Sequence, residues 1–128
     1  MKHDIQNRTD IELLVTSFYD KVIPDPVIGK IFSDIAKVNW EKHLPVMFDF
    51  WENTIFYTGG YTGNPMKTHQ HLNAIFPLKS EHFQRWLELF ISTADELFEG
   101  VNTALAKQRA TSIATMMQVK IVHKKEIG

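Results

Sequence analysis

The chain has 128 residues, the size of one domain, with 44% apolar and 12% aromatic residues and a formal net charge of -1. That charge, with a pI near 6.6, supplies no basic field for phosphate backbones and argues against nucleic acid. The absence of cysteine excludes disulfides, thiolate zinc clusters, iron–sulfur clusters and cysteine nucleophiles.

The first eight residues, Met1 to Arg8, carry charges with no apolar run behind them, which argues against a secretory signal. No segment approaches the roughly eighteen apolar residues that a membrane helix needs. A soluble cytoplasmic protein is the expectation. Thr9 with Glu12 then fits a capping box that opens the first helix. Ile11, Leu14, Val15, Phe18 and Val22 follow at helical spacing. Pro24-Asp25-Pro26 ends this helix, because proline lacks the amide and restricts the residue before it. A short apolar turn from Val27 to Phe32 comes next.

Asn39 is placed to cap the second helix, in which Trp40, Leu44, Met47 and Trp51 form one stripe with His43 and Phe50 beside it. Pro45 falls inside this pattern. Proline is tolerated in a first turn, so a start nearer Glu41 is expected. The run should end at Gly59-Gly60, and the Gly- and Pro-rich stretch from Gly59 to Pro65 reads as a loop. A short helix from Met66 to about Leu72 would carry His69 and His71, with a break at Phe76-Pro77.

Ser80 is the expected cap of the next helix, whose stripe is Phe83, Trp86, Leu87, Phe90, Ile91 and Ala94. Gly100 should stop it. A last helix from Asn102 to Lys124 presents Ala106, Ala110, Ile113, Ala114, Met117 and Ile121 on one face. No stretch reads as a strand. The pattern predicts four substantial helices with short connectors and one domain over residues 1–128. The aromatic richness means either an unusually aromatic core or a flat apolar ligand held within it.

Six histidines are the natural place to look for chemistry. His3, His82 and His123 read as terminal or surface residues. His43 flanks an aromatic helix face, where a partly buried histidine bonded to a carbonyl is the plain alternative to a functional one. His69 and His71 are two apart, so on a helix only one faces inward. No pair supplies the three or four convergent ligands of a zinc site without cysteine. A lone inward imidazole does suit haem, where one protein nitrogen holds iron and apolar walls hold the ring. Gly59-Gly60-Tyr61-Thr62-Gly63 lacks the lysine and hydroxyl of a phosphate loop. Asp95, Glu96 and Glu99 read as a solvated helix end.

Over nearly its whole length the chain resembles the group III truncated haemoglobins. The resemblance rests on ordered pieces: Phe18-Tyr19, Gly29-Lys30-Ile31-Phe32, Trp40 with His43, Phe50-Trp51, and Tyr61-Thr62-Gly63-Asn64-Pro65-Met66 followed by His69. His82-Phe83, Arg85-Trp86-Leu87, Phe90, Gln108-Arg109-Ala110 and Ile113-Ala114 complete it. It implies an all-α fold, a two-over-two helical sandwich around haem b. It implies His69 as the iron ligand, leaving His71 outside, and Tyr19, His43 and Trp86 around the sixth coordination position. Phe32, Phe50, Leu72, Phe83 and Phe90, with Met47, are the expected apolar contacts of the haem. Lys67, His71 and Arg85 are candidates for its charged edge by proximity in sequence.

The function expected on this basis is binding or transport of oxygen and other diatomic ligands: nitric oxide, carbon monoxide or cyanide. A second reading is a haem enzyme for nitric oxide dioxygenation or peroxide reduction. It would need a separate reductase, because the chain carries no flavin or nicotinamide domain. A third is a cofactor-free helical interaction module. A monomer without membrane or nucleic-acid partners is expected.

Overall fold

A computed structural model describes residues 2–59, 69, 73 and 77–123, the last two by backbone alone. Among the described residues every regular element is helical. Helix α1 is Arg8–Val22, α2 is Trp40–Phe56, α3 is Ser80–Leu97 and α4 is Val101–Met117. A π-helical turn, Ile31–Ile35, lies between α1 and α2, and another, Gln118–His123, prolongs α4. Of the expected loop and short helix between Gly60 and Phe76, only His69 and Asn73 are described, both helical. Lys124 and the residues after it lie outside the description.

Helix α1 opens two residues earlier than the Thr9–Glu12 pair predicts. Asn7 is the cap, its side chain accepting from the Asp10 amide at 3.0 Å, while Asp10 accepts from the Gln6 amide at 2.9 Å. Asparagine outranks threonine at this position, and Glu12 instead pairs with Arg8 one turn back at 3.2 Å. The expected stripe is buried, and Tyr19 is buried with it. The helix stops before Pro24 as expected. Asp25 then turns the chain by accepting from the amides of Val27 and Ile28, each at 3.0 Å.

The region from Val27 to Phe32 is more ordered than the short turn expected, because it leads into the π turn. Gly29 permits this: a Cβ there would stand 2.5 Å from the Ile23 carbonyl oxygen and 3.0 Å from that of Val22. Only glycine lets the two backbones approach so closely.

Asn39 caps α2 as expected, accepting from the Glu41 amide at 3.1 Å. Pro45 does not sit in the first turn; α2 starts at Trp40 and the proline lies in its second turn. It is tolerated because Glu41 and Pro45 are both exposed, so water reaches the carbonyl that loses its amide partner. The helix also ends before the glycines. Tyr57 takes a left-handed conformation (φ 57°) and donates to Asn53 O, and the Asn53 side chain accepts from the Gly59 amide at 2.7 Å.

Ser80 is the first residue of α3 rather than its cap. Lys79 holds the cap position, and its amide donates to His82 Nδ1 at 2.9 Å. His82 is therefore a structural group, half-buried, and not the solvated residue that its charged neighbours suggest. Helix α3 ends at Leu97, before Gly100. The first turn of α4 is capped from the N-terminal segment. The Asp4 carboxylate accepts from the amides of Asn102 and Thr103 at 2.9 and 2.8 Å and from the Thr103 hydroxyl at 2.8 Å.

The four helices meet in a closed cycle. Helix α1 packs on α2 and on α3, α3 packs on α4, and α4 packs on α2. This is two helix pairs laid one over the other. The α3–α4 contact is the tightest, because Ala106, Ala110 and Ala114 let the backbones close in.

Candidate functional site

The three residues expected around one coordination position come from three helices. Tyr19 is on α1, His43 on α2 and Trp86 on α3. Tyr19 is buried because it sits one position beyond Phe18 on the inward face of α1. Its hydroxyl and His43 Nε2 share a hydrogen bond of 3.1 Å. Burial pushes the tyrosine pKa well above its ordinary value, so the phenol keeps its proton. Burial, followed by the charge of His69, pushes the pKa of His43 below its ordinary value. The pair is thus a neutral phenol bonded to an imidazole that favours its neutral form.

The same shift shows that His69 lies within electrostatic reach of His43. His69 is helical and half-buried, and its ring centre stands 6.5 Å from that of Phe83. Two imidazoles from different parts of the chain therefore belong to one region. Phe83 is buried beside one, and Tyr19 is bonded to the other.

Trp86 is half-buried and does not touch Tyr19 through its ring. Phe18 stands between them, 4.9 Å from the Tyr19 ring and 5.8 Å edge-on from Trp86. Phe90 is stacked under Trp86 at 5.8 Å and against Trp51 at 4.6 Å. Its exposure is 0%, so it backs the wall and Trp86 and Trp51 cover it. Phe32, Met47 and Phe50 are half-buried, packed on the core with surface to spare. Leu72, Lys67 and His71 lie outside the described residues.

Arg85, a candidate for a charged ligand edge, is already engaged. It donates to Asp25 at 2.8 Å and to Glu88 at 3.2 Å. Asp25 itself is held low. Burial alone would raise its pKa, but the amides of Ile28 and Val27 and the Arg85 guanidinium outweigh that effect. Phe18 is expected from the sequence as a stripe residue and beside Tyr19, but neither its place between site residues nor the Asp25–Arg85 pair is expected. A surface cleft of about 270 Å³, lined by Lys2, Asp95, Phe98 and Lys107 among others, shares no residue with this group. Its Lys107 and Asp95 neutralise each other at 2.7 Å.

The chemistry of the donor set fits haem. Among the described residues no cluster of three or more carboxylate or imidazole groups could hold a bare metal ion. One half-buried imidazole suffices where a macrocycle supplies the remaining nitrogens. The half-covered aromatic side chains suit a flat apolar ring, and the Tyr19–His43 pair suits a small polar ligand beside it.

A helical sandwich with these features is a globin of the truncated kind, a haem-binding fold. Comparison with known proteins agrees. The group 3 truncated hemoglobin ctb of Campylobacter jejuni is 31% identical over 121 residues, covering 92% of this chain and 93% of that protein. The crystal structure of the group III truncated hemoglobin from Campylobacter jejuni superposes with a TM-score of 0.83 at 29% identity, covering 94% of this chain and 95% of that one. No family model matches the chain. The chain belongs to the group III truncated haemoglobins. No helix among the described residues is long and apolar enough to cross a membrane.

Proposed function

We propose that the protein carries haem b and reversibly binds oxygen and other diatomic ligands, with His69 as the protein ligand of the iron. When bound, haem b supplies an iron with a coordination position open to a diatomic molecule. His69 would hold it on one side. Phe32, Met47, Phe50, Leu72 and Phe83 would line the ring, with Phe90 behind Trp86.

Tyr19, His43 and Trp86 would form the polar part of the opposite side. The phenol and the indole each bring one donor to an otherwise apolar space, and a buried donor needs an acceptor. The Tyr19 hydroxyl already has His43 as its partner, so a diatomic ligand that gains negative charge on binding would compete for it, with each bond to that ligand worth roughly 1–3 kcal/mol. The neutral His43 holds the Tyr19 hydroxyl in place until a ligand competes for it.

The observation that carries this reading is the 3.1 Å hydrogen bond between the buried Tyr19 and His43. The absorption spectrum of the purified protein tests it. A Soret band is expected that shifts between the ferric, ferrous, oxygen and carbon monoxide forms. A protein reconstituted with haem that shows no such band ends the reading.

A further inference from the structure

Trp40 lies where the polar pair meets the solvent, and no part of the reading above uses it. It is the first residue of α2, one turn before His43. Its neighbours Asn39, Glu41 and Lys42 are exposed, whereas Trp40 is half-buried. Its ring centre stands 5.0 Å from Tyr19, 5.6 Å from His43 and 6.0 Å from Phe32. The Phe32 contact is nearly parallel at 23°, and the His43 contact is edge-to-face at 80°. The indole thus touches both partners of the Tyr19–His43 hydrogen bond from one side.

We propose that Trp40 is a positioning residue that keeps His43 turned inward onto Tyr19, and so controls the access of small ligands. The inference rests on the haem reading above. For His43 to swing toward water it must leave Tyr19 and slide off the indole. Trp40 is itself held by ring contacts with Phe32 and Tyr19. The Asn39 cap fixes the backbone of this turn by accepting from the Glu41 amide, so the indole is set by its ring neighbours. Replacing it with a smaller, non-aromatic side chain leaves the imidazole free to turn out.

Control of access has a kinetic signature that loss of a hydrogen-bond donor lacks. A barrier lies on the path both in and out. Lowering it speeds association and dissociation by one factor and leaves the equilibrium unchanged. Losing a donor weakens the bound state and acts mainly on dissociation. Carbon monoxide is the suitable probe because it is the less polar ligand.

The test is flash photolysis and stopped-flow of carbon monoxide with haem-loaded wild type, Trp40→Leu and Trp40→Phe. In Trp40→Leu both rates should rise together, by about twofold to tenfold, as expected for losing one aromatic contact. Trp40→Phe keeps a ring and should rise less, in both directions. It carries the test if Trp40→Leu does not hold haem. Nitrogen-15 NMR of the carbon monoxide form reads positioning directly. The His43 Nε2 signal should lose its hydrogen-bonded shift in Trp40→Leu and retain most of it in Trp40→Phe. Wild type without a haem spectrum overturns this inference together with the reading beneath it. A normal haem spectrum with an unchanged association rate, or with dissociation alone altered, overturns the role of Trp40 and leaves that reading intact.

Discussion

Helices α2 and α4 are both 17 residues long, yet they cover their apolar faces to different depths. Helix α4, which packs on α3 and on α2, buries Ala106, Ala110, Ala114 and Met117 almost completely. On α2 only Trp51 and Ile55, both in its C-terminal half, are buried. Trp40, Leu44, Met47, Phe48 and Phe50 remain half-covered. Small residues on α4 let protein fill the gap. Large ones on α2 keep part of their surface uncovered. An apolar helix face left open by its own fold is where a second apolar body fits, and here it also carries His43. The aromatic share of 12% is thus divided between fully buried and half-covered rings.

The largest effect expected from this division is on the cofactor. His69→Ala should lose haem or bind it weakly, while His71→Ala should keep it, as read by the Soret band after gel filtration. Retention in His69→Ala with loss in His71→Ala would move the ligand to the other histidine.

Stability should separate the two helices next. Ala110→Leu adds bulk at a fully buried position and should cost about 1–3 kcal/mol in urea unfolding. Met47→Leu on α2 conserves volume on a half-open face and should cost under about 1.5 kcal/mol. Similar losses at both would mean that α2 is packed as tightly as α4.

A smaller effect concerns the joint between α1 and α3. Asp25→Ala leaves the Val27 and Ile28 amides without their acceptor and should cost about 1–3 kcal/mol at neutral pH. The folded pKa of Asp25 lies below its ordinary value of 3.8. The stabilisation from its charge is therefore complete above that value and is lost as the pH falls through the lower folded one. The gap between wild type and Asp25→Ala should hold steady down to about pH 5 and close in more acid solution. A gap that already shrinks between neutrality and that point would contradict the charged role of Asp25.

The stripes of the first and last helices were legible because burial repeats with the helical period, whereas on α3 Leu89 and Thr93 are buried outside the expected stripe and on α2 only Trp51 of that stripe is buried. Ile11, Leu14, Val15 and Phe18, or Ala106, Ala110 and Ala114, declare a face without any knowledge of the partner. The caps were less legible. Asn7 and Thr9 are both good first residues, and only the reach of Asp10 back to the Gln6 amide decides between them. Pro45 misleads because the rule against it assumes a carbonyl hidden from water. Ser80 misleads because a histidine three positions on from Lys79 takes over the capping.

Within the candidate site, Tyr19, His43, His69 and Trp86 were named through a family resemblance; periodicity alone makes Trp86 a core residue and Tyr19 a flank residue. Phe18 and Trp40 were named as stripe residues and as pieces of that resemblance, but their roles escaped, since an aromatic ring in a stripe looks the same whether it fills a core or holds a functional neighbour. Their roles depend on ring distances of 4.9 and 5.6 Å to Tyr19 and His43, which no spacing encodes. Arg85 was a candidate for a ligand edge by position, but the buried Asp25 carboxylate, sixty positions away, claims it.

The half-covered face of α2, which carries His43, would complete a polar pocket for a diatomic ligand. Stopped-flow release of oxygen and of carbon monoxide from haem-loaded wild type, Tyr19→Phe and Trp86→Phe tests it most directly. Tyr19→Phe removes one hydroxyl with little change of shape. The loss of a bond worth about 1.4 kcal/mol should speed oxygen release about tenfold. Carbon monoxide release, from a less polar ligand, should change by less. Oxygen leaving all three proteins at one rate would contradict the polar pocket, even in a protein that holds haem through His69.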